Sequence, residues 1–252
     1  MADKAVRVGT MDSAPWRPHG RALLDFYNGD AAAEVVTHGD DGETEVVPIR
    51  VFFRGPSEFS ALEEAALDLC RGRVLDAGAG AGCHTLVLQE QDCSVCAIDI
   101  APEAVEVMRR RGVKDARCAD VFHFQERPFD TLLLMMNGIG VVEDLAGLDR
   151  FLADAHRLLT PDGQILLDSY DPAWDDDPDE KARPEAGGPP DRYIGEMRFR
   201  LEYKGKKGPS LLWLFLDAKL LTERAMKAGW SCEIIWQEEE GHYLARLTRA
   251  DP

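Results

Sequence analysis

The stretch Val74-Leu75-Asp76-Ala77-Gly78-Ala79-Gly80-Ala81-Gly82 constrains this chain more than any other. An apolar strand runs directly into three alternate glycines and then into a helical segment. A β-carbon at those bends would keep a ligand off the backbone, so the pattern predicts a strand, a ligand-bearing turn and a helix N-terminus. The strand and helix on either side argue against a tight turn that holds nothing.

From residue 73 onward the pattern alternates: strand 73–76, helix 83–90, strand 94–99, a helix opened by Pro102 and closed by Gly112, and strand 115–119. Strand 129–136, helix 145–159, the turn Thr160-Pro161-Asp162-Gly163 and strand 164–169 follow. Such alternation predicts a Rossmann-like, doubly wound α/β sheet covered on both faces, with ligands beyond the carboxyl ends of its strands. Upstream, a helix over 21–28 precedes two β-rich runs, 33–38 and 43–53, which Gly39-Asp40-Asp41-Gly42 joins as a hairpin. Ser60-Ala61-Leu62-Glu63 matches a capping box for a helix ended by Gly72.

Beyond residue 170 an acidic stretch, 171–180, and a proline-rich one to Pro190 predict a lid, and 192–203 with 211–216 an inserted antiparallel hairpin. Asp217 caps a helix to Lys227, and strands 231–236 and 242–247 end the pattern. We expect 1–20 to be a flexible tail without a signal peptide and 21–252 a single domain, its specialised parts being 21–56 and the lid and substrate insertion 170–216.

Hydrophobic residues make up 45% of the chain and the formal net charge is -17. That acidity would repel a phosphate backbone, so nucleic acid is not expected as a partner, and no apolar run suits a membrane span. Six cysteines scattered over predicted helices, strands and a loop predict free thiols in a reducing, cytoplasmic setting. Cys93 and Cys96 would leave a strand by opposite faces, which argues for packing rather than a redox or zinc pair, and no histidine has ligand spacing, so no metal is expected.

Asp76 followed by Gly78, Gly80 and Gly82 resembles the first motif of class I S-adenosylmethionine-dependent methyltransferases, and the resemblance extends from about Ser57 to Leu247. It implies a seven-stranded sheet, S-adenosylmethionine as cofactor, S-adenosylhomocysteine as product, and cofactor contacts from Asp76, Gly78, Ala79, Gly80 and Gly82. Asp99, which can accept both hydroxyl protons of a ribose, ends the next strand. The resemblance assigns it the ribose, Ile100 the adenine ring, and Asp120-Val121 the adenine amino end. Asp120 also reads as a turn cap. Asn137-Gly138 would pass the methionine part. The segment Asn137-Gly138-Ile139-Gly140 lacks the Asn-or-Asp-Pro-Pro-aromatic and Pro-Cys motifs of base-modifying relatives, which favours a small-molecule acceptor. A nicotinamide-dependent oxidoreductase stays open, although its fingerprint would need glycine where Cys83 stands, as does a non-catalytic S-adenosylmethionine-binding protein.

Methyl transfer from a sulfonium needs the nucleophile held in line for SN2 displacement, and a base only if the acceptor must lose a proton. Candidates to orient or deprotonate it are Tyr27 and Asp171, and candidates to line its site are Phe53 and Tyr170. Arg54 is placed to meet the cofactor carboxylate, and His84 reads as a solvated or capping residue. The acidic stretch 171–180 suggests a cationic amine acceptor or simply a solvated loop. A monomer or a homodimer fits, the latter through the open edge of the N-terminal hairpin.

Overall fold

A computed structural model describes residues 12–126, 128–174, 192–239 and 241–250. Helix α1 (Arg17–Tyr27) leads into strands β1 (Glu34–Gly39) and β2 (Thr44–Pro48) and helix α2 (Ala61–Leu69). The alternating region follows: β3 (Arg73–Ala77), α3 (Cys83–Glu90), β4 (Ser94–Asp99), α4 (Pro102–Arg111), β5 (Ala116–Cys118), β6 (Phe129–Leu134), α5 (Leu145–Ala155) and β7 (Leu159–Tyr170). The remainder comprises β8 (Glu196–Tyr203), β9 (Lys206–Leu214), α6 (Ala218–Lys227), β10 (Trp230–Gln237) and β11 (His242–Arg249).

Seven strands form one sheet in the order β10-β11-β7-β6-β3-β4-β5, parallel from β7 to β5 and antiparallel where β11 joins β7 and β10. This is the doubly wound sheet the alternation predicts, with the seven strands the resemblance implies. Side-chain period two divides it. Leu75, Ile98, Leu132, Leu134 and Leu167 pack with Leu148, Phe151 and Leu221 on one face, while Val74, Leu133 and Leu166 meet Leu62, Ala66 and Leu88 on the other.

Local chemistry sets the helix ends. Ser60 Oγ accepts the Glu63 amide at 3.2 Å while Glu63 Oε2 accepts the Ser60 amide at 2.9 Å, completing the capping box. Asp217 accepts the Leu220 amide at 2.8 Å to start α6. Pro102 opens α4, Arg109, Arg110 and Arg111 fill its last turn, and Gly112 at φ +98° ends it.

A second sheet, β2-β1-β8-β9, unites the two predicted hairpins. Val36 pairs with Glu202 and His38 with Arg200, so β8 covers the β1 side of the N-terminal hairpin and β2 remains at the sheet's edge. A separate core, with Leu23, Val35, Ile49, Leu201 and Tyr203 facing Ala81, Ala101 and Ala104, seats this sheet and α1 over the glycine turn and α4.

Several boundaries differ from expectation: α5 ends at Ala155 and not at 159, and the expected turn 160–163 is drawn into β7. β2 stops at Pro48, beyond which 49–53 is a 3-10 helix, since proline has no amide for a ladder. Residues 14–20 are not tail: a 3-10 turn over Ala14–Trp16 runs into α1, and Pro18 and Gly20 are buried. Cys93 lies just before β4 and is half-buried, whereas Cys96 is buried within it. Residues 1–11, the acidic positions 175–180 and the proline-rich stretch to 190 lie outside the described residues.

Candidate functional site

From β3 the chain moves outward to β4 and β5, then returns to β6 on the other side of β3, so the carboxyl ends of β3 and β6 diverge into a crevice. Gly78, Gly80 and Gly82 enter it at φ +77°, +56° and +79°, values that favour glycine. They serve different ends. A β-carbon on Gly82 would stand 3.0 Å from Val113 Cγ2 and 3.1 Å from Met108 Cγ, so packing requires that glycine. One on Gly80 would meet nothing nearer than Phe52 at 4.0 Å, leaving an open backbone face. Asp99 closes the turn: its Oδ2 accepts the Gly80 amide at 2.9 Å and its Oδ1 the Ala101 amide at 2.8 Å. Burial nonetheless pushes its carboxyl up to about 6, against the pull of those amides.

Beneath the turn lies a buried charged network. Asp76 accepts the Thr85 hydroxyl at 2.5 Å, and burial raises its carboxyl. Glu63 receives Arg54 through Nη1 at 3.0 Å and Nη2 at 2.7 Å, and His84 Nε2 at 2.8 Å. Burial alone would depress the His84 imidazole, but bonds to Cys83 and Glu63 outweigh it and raise the ring to about 10. Burial would raise Glu63, yet His84, the Ser60 amide and Arg54 hold it near 2. His84 is thus buried and held by Glu63, not the solvated or capping residue expected.

On the other wall, Met136 at φ +64° and Asn137 at φ +56° are consecutive left-handed residues, a strained turn for a methionine. Asp168, buried near the end of β7, holds it by accepting the Gly138 amide at 3.3 Å together with the Asn137 amide. Burial pushes Asp168 up to about 6. Asn137 Oδ1 is buried without a partner among the described residues.

Four rings span the mouth of the crevice. Trp213 of β9 sits against Gly140, with Cε2 2.0 Å from where a β-carbon would stand. Trp16 meets Trp213 edge-on at 5.3 Å, His19 meets Trp16 at 6.2 Å and Phe52 at 4.6 Å, and Phe52 faces Gly80. His19 Nε2 is buried and has no partner among the described residues, and burial lowers the imidazole to about 4. Gly20 sits against Glu103 and the Tyr27 hydroxyl donates to the Arg110 carbonyl at 3.1 Å, so α1 and α4 run side by side in one direction.

That register separates the expected residues. Gly78, Ala79, Gly80, Gly82, Asp99, Ile100, Asn137 and Gly138 line or adjoin the crevice. Tyr27 does not: it is exposed and spends its hydroxyl at the far end of α4, roughly 12 Å from that helix's start at 1.5 Å per residue. Arg54 is committed to Glu63 and to the Val51 carbonyl at 2.8 Å instead of being free for a cofactor carboxylate. Phe53 packs between Phe26 and the Arg111 guanidinium. Tyr170 meets Phe215 and His242, while Asp171 caps its own turn by accepting the Ala173 amide at 2.9 Å. Asp120 accepts the Phe122 amide at 2.9 Å and meets His123 Nδ1 at 2.7 Å, the turn-cap geometry, and Val121 is buried in the main core. Sequence reading passed over Asp168 and His19. A carboxylate after Ile165-Leu166-Leu167 was the signal for the first, and Pro18 inside a helical first turn for the second.

Comparison with known proteins adds three findings. The family model described as "Methyltransferase domain" matches residues 75–167. A SAM-dependent methyltransferase from Bacteroides fragilis, solved in complex with S-adenosyl-L-homocysteine, superposes with a TM-score of 0.85 at 36% identity, over 96% of this chain and 98% of that one. A ubiquinone biosynthesis O-methyltransferase from Xanthomonas oryzae pv. oryzae is 31% identical over 41% of this chain, and a demethylmenaquinone methyltransferase from Tropheryma whipplei 27% identical over 37%. These matches span only 45% and 40% of those two relatives' own lengths.

Proposed function

This chain belongs to the class I S-adenosylmethionine-dependent methyltransferases, and from that premise we propose that it transfers the donor's methyl group to a small-molecule acceptor by in-line SN2 displacement. The observation that carries the reading is the pairing of an open, left-handed Gly80 with Asp99 across one turn, opposite the unpartnered Asn137 Oδ1.

These residues fit the donor. The face that a β-carbon on Gly80 would fill can receive the nucleoside, Asp99 keeps lone pairs for the ribose hydroxyls, and the Asn137 oxygen suits an ammonium donor. Gly78, Ala79 and Gly82 shape the bend and Ile100 would adjoin the adenine, whereas Asp120 caps its own turn and Val121 packs in the main core. Asp76 binds Thr85 and so fixes α3 to the turn. Arg54 acts indirectly, by holding Glu63 and through it His84.

When bound, S-adenosylmethionine supplies a methyl carbon already activated by its sulfonium. The chain's own task is positioning: reacting atoms need to stand about 3 to 3.5 Å apart and in line, under a cover that excludes water. β9 and the first turns of α1 provide that cover. A net charge of -17 and a segment after β6 that lacks the motifs of base-modifying relatives favour a small acceptor over nucleic acid. Among the described residues no helix is long and apolar enough to cross a membrane, and no group of three His, Cys, Asp or Glu residues could hold a metal.

Calorimetric titration with S-adenosylmethionine, S-adenosylhomocysteine and NAD tests the first half of this reading, and the first two should bind. Incubating a cell extract with the protein and methyl-labelled donor tests the second. Label in a small molecule supports transfer, whereas binding without label in any product indicates a sensor or scaffold.

A further inference from the structure

We propose that the cleft between the start of α1 and the β8–β9 turn is a second binding site, and that it receives the phosphate group of a phosphorylated small molecule. None of the residues that line it belongs to the glycine crevice, so the inference stands apart from the donor reading.

The cleft encloses about 540 Å³, room for a small organic molecule and not only for an ion. Arg17, Arg21, Lys204, Lys206 and Lys207 line it against one carboxylate, Asp25. In a chain with 46 acidic and 29 basic residues, this is a local reversal of the field. Asp25 is already engaged, accepting the Tyr203 hydroxyl at 2.9 Å and the Lys204 ammonium at 2.7 Å. Lys204 also meets Asp30 at 3.0 Å, and Lys207 has Glu202 at 3.5 Å. Arg17 and Lys206 enter no ion pair among the described residues, and Arg21 acts on Asp25 only through space.

Local structure brings these cations together where they repel. Arg17 and Arg21 stand one turn apart on the same face of α1, and Arg17 opens the helix, whose first turn favours anions yet holds no acidic residue. Across the cleft, Lys204 at φ +47° and Gly205 at φ +73° make a two-residue hairpin turn that fixes where Lys206 begins β9. A β-carbon on Gly208 would stand 3.1 Å from both the Pro15 carbonyl oxygen and Pro18 Cγ, so β9 is seated directly on the approach to α1. An anion held between the two elements relieves the Arg17–Arg21 repulsion, complements the helix start and ties α1 to β9. Guanidinium groups offer paired N–H donors that match phosphate oxygens. A phosphate monoester carries a charge of about -1.5 to -2 at pH 7, which answers Arg17, Arg21 and Lys206 better than one carboxylate does. The net charge of -17 opposes approach to an anionic membrane and so favours a soluble ligand over a lipid headgroup.

Calorimetry and thermal denaturation of the full chain at low salt test this, with pyrophosphate and glucose 6-phosphate as probes and glucose as the control. We expect at least one phosphate probe to bind and to raise the melting temperature, with an affinity that falls as salt is added, and glucose to do neither. Arg21→Glu combined with Lys206→Glu should weaken that binding about tenfold or more and leave S-adenosylhomocysteine affinity unchanged. Without ligand, this variant should melt at or above the parent's temperature, because it sets a carboxylate one turn from Arg17. Arg21→Gln combined with Lys206→Gln, which only removes charge, should weaken binding in the same direction. Equal affinity in parent and variants, no binding of either phosphate probe, or a lower melting temperature in both unliganded variants would overturn the proposal. Flotation with phosphatidic acid–phosphatidylcholine vesicles by the parent, but not by the variants, would assign the site to a lipid headgroup and overturn the soluble ligand.

Discussion

The indole of Trp213 occupies the space that a β-carbon on Gly140 would need, which locks β9 of the small sheet onto the loop that follows β6. Gly140→Ala must therefore push the small sheet away from the crevice. Overpacking of this kind costs about 1–3 kcal/mol. Thermal denaturation should report that loss, and tryptophan emission should shift as Trp16 and Trp213 separate. Turnover should fall more than donor affinity, because Gly80 and Asp99 belong to the opposite wall. An unshifted emission spectrum would mean that the ring relaxes in place.

Gly80→Val and Asp99→Ala should each abolish binding of S-adenosylmethionine while leaving far-ultraviolet circular dichroism unchanged. The valine meets open space, so its steric effect falls on the ligand, although φ +56° adds strain on the order of 1 kcal/mol. Calorimetry that matches the parent for either variant would contradict the site.

Donor affinity should depend on pH. Burial places both Asp99 and Asp168 at about 6, so each is charged at pH 7.5, about 1.5 units higher, and loses its charge as the pH falls through about 6. Affinity should be level above about pH 7 and decline below 6. Asp99→Asn should weaken binding and remove most of that slope. A level profile from pH 5 to 8 in the parent would contradict the role given to Asp99.

The Arg54–Glu63–His84 network should govern stability toward alkali. His84, raised from 6.5 to about 10, contributes stability that is complete below about 6.5 and lost as the pH rises through 10. Glu63, lowered from 4.5 to about 2, contributes stability that is present above about 4.5 and lost as the pH falls through 2. Denaturant midpoints measured from pH 5 to 10 should fall on the alkaline side. Glu63→Gln should cost about 3–5 kcal/mol, by leaving Arg54 and His84 uncompensated, and should flatten that fall.

Tyr27→Phe should leave kcat close to the parent's, far from the roughly 100-fold loss that follows removal of a general base. Among the described residues its hydroxyl donates to the Arg110 carbonyl. A large loss would restore Tyr27 to the reaction and question the register of α1 against α4.

Local pattern made much of this protein legible. The bounds of α3 and β4, the Ser60 capping box and the Asp217 cap lie where the sequence places them, because each depends on residues a few positions apart. The glycine turn and Asp99 were legible for the same reason. Pairing of β1 with β8 was not, since it joins residues 36 and 202 and no short pattern encodes it. His19 was hidden because Pro15 and Pro18 suggested an unstructured tail, although prolines in a first turn are how many helices begin. Tyr27 and Arg54 had the right residue types in the right region. Only the parallel packing of α1 on α4, and the prior claim of Glu63 on Arg54, turn them elsewhere.

That long-range pairing also sets a timetable for biosynthesis. Val36 leaves the ribosome well before its ladder partner Glu202, and at ordinary rates of translation the wait is roughly 8 to 30 s. Throughout it, β1 carries a vacant row of amides and carbonyls that invites pairing with a neighbouring nascent chain. Stalled or prematurely terminated products therefore keep that edge vacant, and pairing with β8 closes it before β9 completes the canopy over the crevice.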